Sequence, residues 1–119
     1  MDVLKQLQAD LASFAAERDW GQFHTPKNLA MALSGETGEL LELFQWLTPE
    51  QSERAALSDE AAQAVEEEMA DVLLYLLRLA DRLEVDIAAA AQAKIKRNAE
   101  KYPIEKSKGN ATKYSRREK

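Results

Sequence analysis

The chain has no cysteine and a single histidine, His24. Without thiols there is no disulfide, no thiolate-held zinc and no cysteine nucleophile. One imidazole cannot build a two-histidine zinc motif, and it leaves a Ser-His-Asp arrangement only one possible centre. Metal chemistry, if the protein performs any, must therefore run on oxygen ligands. Glycine and proline are scarce, at four and three residues of 119, a composition that favours packed helices over disorder. Apolar runs of about 18 residues, the length a membrane span needs, are missing. The opening Met-Asp-Val-Leu-Lys has neither a basic start nor an apolar leader, so a cytoplasmic protein is expected.

What is present fits one compact domain: 119 residues, 45% hydrophobic and 31% charged. The net charge of −5 is unevenly laid out. Residues 36–71 hold eleven acids against one base, Arg54, whereas residues 104–119 hold six bases against two acids. The acidic segment argues against a surface for nucleic acid polymers; the basic one reads as a tail following a helical domain over residues 1–103.

Leu4, Leu7, Leu11 and Phe14 recur at helical spacing, which predicts an amphipathic helix over residues 2–19. Thr25-Pro26 is an N-cap followed by proline at the first helical position, starting a second helix expected to reach Leu47. Thr48-Pro49-Glu50-Gln51 resembles a capping box but leads only into a polar connection. Ser58 caps a third helix to about Leu83, and Asp86 a fourth to about Lys101, ended by Tyr102-Pro103. No stretch alternates with period two. The expected fold is all-α, a four-helix bundle whose Ala-rich fourth helix suits close packing or a second subunit.

Helical phase singles out four acids. At about 100° per residue, Glu36 falls among Leu29, Leu33, Leu40, Leu43 and Leu47, with Glu39 about 60° to one side on an edge shared by Asn28, Gly35 and Trp46. On the third helix Glu68 falls among Val65, Val72, Tyr75, Leu76 and Leu79, with Asp71 about 60° away on the same side. Glu66 and Glu67 lie on outer or flanking surfaces. Carboxylates facing a core need compensation. Either Arg78, Arg82, Lys94 and Lys101 supply a salt-bridge network, or a hard divalent ion, Mg²⁺ or Mn²⁺, sits among them. Phase alone leaves both open. Gly35 and Gly38 beside Glu36 hint at a close approach by another group or another helix.

Gly35-Glu36-Thr37-Gly38-Glu39-Leu40, followed by Glu67-Glu68-Met69-Ala70-Asp71-Val72-Leu73, resembles the E-x-x-E … E-x-x-D signature of the MazG-like all-α nucleoside triphosphate pyrophosphohydrolases. Trp20-Gly21-Gln22-Phe23-His24, Pro26-Lys27-Asn28-Leu29, Phe44-Gln45-Trp46 and Lys94 … Asn98 … Lys101-Tyr102-Pro103 are similar to its small dCTP pyrophosphatase branch. The resemblance implies a Mg²⁺-dependent homo-oligomer, dimer or tetramer, that hydrolyses a (d)NTP, dCTP or a modified dCTP above all, to the monophosphate and pyrophosphate.

It also implies roles. Glu36, Glu39, Glu68 and Asp71 would hold the metal, and Glu36 or Glu39 would accept the proton of a water attacking the α-phosphorus. Trp20 and Trp46 would flank the base, Tyr75 and Asn98 would bind the nucleotide, and Lys94 and Lys101 would meet phosphates. His24, Asn28 and Tyr102 complete the substrate-binding set. Each has a plainer alternative: a core anchor for the tryptophans, a satisfied core hydroxyl for Tyr75, a hydrogen-bonding loop residue for His24, and lysines that snorkel to water. The tail bases Lys106, Lys108, Lys113, Arg116 and Arg117 read as solvating, or as an arm reaching a neighbouring subunit's site. A non-catalytic helical interaction or regulatory module is the competing function. A di-iron carboxylate bundle lacks its Glu-x-x-His motifs.

Overall fold

The computed structural model describes residues 2–111, which are helical and contain no strand. They form α1 (Val3–Glu17), α2 (Pro26–Glu42), α3 (Asp59–Arg82), α4 (Ile87–Lys101) and the one-turn α5 (Ile104–Ser107). Short 3₁₀ turns cover Gly21–Phe23 and Arg54–Ala56. The chain divides into two compact units, Met1–Val85 and Asp86–Lys119. No described helix is long and apolar enough to cross a membrane.

Four helix starts follow directly from side-chain caps. Asp2 accepts from the Leu4 and Lys5 amides, Thr25 from Asn28, Ser58 from Ala61 and Asp86 from Ala89, each satisfying amides that have no partner within the helix. The ends of α1 and α3 share a less legible device. Asp19 and Glu84 adopt left-handed backbone, with φ of 55° and 57°. The Trp20 amide then reaches back to the Ala15 carbonyl at 2.8 Å, and the Val85 amide to that of Ala80 at 2.8 Å, the six-to-one bond of a Schellman ending. Nothing in hydrophobic periodicity announces it, because glycine usually fills such positions.

In the first unit α3 packs against both α2 and α1. Leu29 of α2, Leu77 and Ala80 of α3 and Ala15 of α1 form a small buried core, and the Gln8 amide donates to the Leu77 carbonyl at 3.0 Å. This arrangement directs one face of α2 and one of α3 toward each other and fixes the neighbourhood of their acids.

The second helix ends five residues earlier than its pattern suggests. From Leu43 the amides turn to carbonyls three residues back, Leu43 to Leu40 and Phe44 to Leu41, which tightens the turn and breaks the α phase. Pro49 disfavours helix at Thr48, and the Thr48–Gln51 pair closes reciprocally at 2.9 and 3.2 Å. The phase assigned to Trp46 consequently does not hold. Trp46 lies in the turn and is 86% exposed, so it is no core anchor within this chain.

Candidate active site

Glu36 and Glu39, one turn apart on α2, meet Glu68 of α3. One carboxylate oxygen from each lies within 4.8 Å of the other two. Glu36 and Glu68 are half-buried and Glu39 is exposed, as the phase of each helix predicts, while Glu66 and Glu67 face solvent. The Oε2 atoms of Glu36 and Glu68 are buried without a hydrogen-bond partner. Such orphaned acceptors are rare in folded proteins and call for an explanation.

Crowding shows in the acidities. The neighbouring Glu39 carboxylate is the largest influence on Glu36, followed by burial and then Glu68; together they push it up to about 7. Glu68 is also raised, first by burial. Of the cations considered from the sequence, Arg78 does not serve these acids. It pairs instead with Asp81 at 3.4 Å. Three carboxylates converging within one ion's reach, two of them carrying an orphaned oxygen, fit a hard divalent cation.

Asp71 is not part of the three-residue cluster. It follows Glu68 by one turn on α3, is exposed, and lines a cavity of about 270 Å³ together with Phe14, Trp20, His24, Tyr75 and Arg78. Glu68 of the acid cluster thus stands one helical turn from a residue of the aromatic cavity. Trp20 is placed by the Schellman ending of α1 and packs edge-on against Phe14, with ring centres 5.6 Å apart. His24 lies 6.4 Å from Trp20, centre to centre. Asn28 uses its side-chain amide to donate to the Phe23 carbonyl at 3.1 Å, clamping the loop that carries Trp20 and His24.

Lys94, Asn98 and Lys101 lie on α4, and Tyr102 is its C-cap; all four belong to the second unit. Lys113, Arg116 and Arg117 lie outside the described residues. Gly35 and Gly38 have open space where a side chain would stand, so among the described residues nothing makes the close approach they suggest. Phe14 and Arg78 were not singled out as pocket residues by the sequence. Phe14 reads simply as helix-stripe, and no spacing rule pairs Arg78 with a histidine 54 positions earlier.

Fold and site define an all-helical protein with an acidic cluster compatible with a divalent metal beside an aromatic-lined cavity. The chain belongs to the MazG-like family, which matches residues 31–116. Two curated relatives named dCTP pyrophosphatase 1, from Bos taurus and Homo sapiens, are 49% and 46% identical over 113 residues, 95% of this chain. The chain spans about two-thirds of their length, 67% and 66%. The crystal structure of a pyrophosphatase from Archaeoglobus fulgidus superposes with a TM-score of 0.78 at 42% identity, covering 87% of this chain and 94% of that one.

Proposed function

We propose that this chain is a nucleotide diphosphatase that hydrolyses dCTP, or a modified dCTP, to the monophosphate and pyrophosphate. One observation carries the proposal: Glu68, which carries an orphaned carboxylate oxygen and belongs to the acid cluster, stands one turn of α3 before Asp71, which walls a cavity together with Trp20 and Tyr75. A base held among those aromatics places its phosphate chain beside the acids. The names of the curated relatives point the same way.

Glu36, Glu39 and Glu68, joined by Asp71, would hold Mg²⁺ or Mn²⁺. The bound cation would neutralise phosphoryl oxygens and acidify an attacking water. Glu36 and Glu39 are the candidates for accepting the water's proton. Trp20 and Tyr75 flank the base, each stacking contact contributing roughly 1–3 kcal/mol. His24 reads its edge, and Asn28 keeps their loop in place. In this reading Trp46, Lys94, Asn98, Lys101 and Tyr102 keep the substrate-binding roles that the family resemblance implies, the lysines offsetting triphosphate charge.

Assembly as a dimer or tetramer is part of the proposal. Met31, Leu41, Met69 and Leu73 are between 40% and 63% exposed, a quantity of large apolar surface that partner chains usually cover. The experiment is a product assay with Mg²⁺ and dCTP. Pyrophosphate release, abolished by Glu39→Gln or Asp71→Asn with the helical spectrum intact, is expected; full turnover in either variant would defeat the assignment.

A further inference from the structure

His24 is the chain's one imidazole, half-buried in the loop before α2. Its Nδ1 accepts a hydrogen bond from Arg78 Nε at 3.2 Å. Guanidinium nitrogens only donate and do not lose their protons in proteins. Nδ1 must therefore offer a lone pair. Since a charged imidazolium carries a proton on both nitrogens, the ring is neutral and its proton sits on Nε2.

Arg78 is well placed to impose this choice. It is 9% exposed on α3, and its second donor group is engaged by Asp81 at 3.4 Å. Burial, then the charges of Arg78 and Arg82, lower the pKa of His24, in keeping with a neutral ring. Both side chains line the cavity that also holds Trp20 and Tyr75. At about 270 Å³ it falls just below the roughly 300–1,000 Å³ of pockets that enclose whole small ligands, a size that suits one base rather than a complete nucleotide. With Nδ1 occupied, only Nε2 remains to meet a ligand there.

We infer that Arg78 is a positioning residue that locks His24 as an Nε2–H donor toward a hydrogen-bond acceptor on the edge of a pyrimidine nucleotide's base. The inference rests on the proposed function for its ligand, but not for the lock itself. A ring free to switch tautomer would present a lone pair part of the time, and a lone pair facing an acceptor leaves both unsatisfied. Fixing the donor removes that state and makes the pocket selective for bases with an acceptor at this edge.

The test is nitrogen-15 NMR of the tag-free, full-length chain, in which His24 gives the only imidazole signals. At neutral pH we expect one protonated nitrogen, Nε2, and one unprotonated, Nδ1, with the Nε2 signals moving when dCMP is added to saturation. Arg78→Met should let the tautomers mix and weaken dCMP binding about tenfold, the value of one hydrogen bond. A native ring that is charged or protonated on Nδ1 overturns the lock, as does an Arg78→Met protein with unchanged tautomer and affinity. If dCMP moves the Trp20 indole signal but leaves His24 untouched, the base-reading role is wrong. If dCMP binds nowhere, the proposed function fails and takes base reading with it, while the native spectrum still decides the lock without any substitution.

Discussion

Filling the acid cluster with a divalent cation should expel a proton, and the structure sets how much. Glu36 is pushed to about 7, so in the cation-free protein it is about nine-tenths protonated at pH 6, about half at pH 7 and about one-tenth at pH 8. A cation binds the carboxylate and displaces that proton. Release should therefore fall from about 0.9 to about 0.1 proton per site between pH 6 and pH 8. Glu68, also raised, adds to these values and cannot reduce them. Isothermal titration with Mg²⁺ in two buffers of different ionisation enthalpy measures the number directly. The Glu36→Gln variant should lose this contribution. Release that is absent at pH 6, or that stays constant across the range, would refute the picture of crowding that holds Glu36 part-protonated at neutral pH.

The same crowding bears on stability. A carboxyl whose folded pKa is raised stabilises the fold below its unfolded value near 4.5, and this contribution disappears as pH rises through about 7; melting in chelator should fall between pH 5 and pH 8, and Mg²⁺ should reverse the loss at pH 8. Glu84, at φ 57°, occupies backbone that suits glycine, so Glu84→Gly should leave chemical denaturation unchanged or shift it up by as much as about 1 kcal/mol. Destabilisation by that exchange would contradict the Schellman ending. Leu77 is 1% exposed on α3, which packs against α1 and α2, and Leu77→Ala should cost about 2–4 kcal/mol in a urea titration; a cost below about 1 kcal/mol would mean that this small core is not what holds the unit together.

Much of the site was legible because it depends on the period of α2 and α3. The residues that place Glu36 and Glu68 inward are the leucines and valines around them, and those follow the 3.6-residue repeat. Helix starts were readable for a similar reason, since Thr25-Pro26, Ser58 and Asp86 cap by local chemistry. The fate of α2 beyond Glu42 was not, because apolar residues continue the stripe after the backbone has tightened, and Trp46 was carried to the wrong phase with them. Asp19 hides the turn that places Trp20 because it is not glycine. Phase gathers Asp71 with the other acids, and its charge helps raise Glu68 while its side chain also lines the cavity. Arg78 illustrates the larger gap: charge counting offered it to the carboxylates, but the fold delivers it to His24 at 3.2 Å, a pairing between a loop and a helix that only tertiary packing determines.

Hydrolysis of dCTP in oxygen-18 water with Mg²⁺ present, followed by mass spectrometry of both products, probes the central claim most directly. Acids that hold an ion beside the base cavity should bring water to the α-phosphorus, so the label is expected in dCMP and not in pyrophosphate. Label in pyrophosphate, or no turnover at all, would contradict the account.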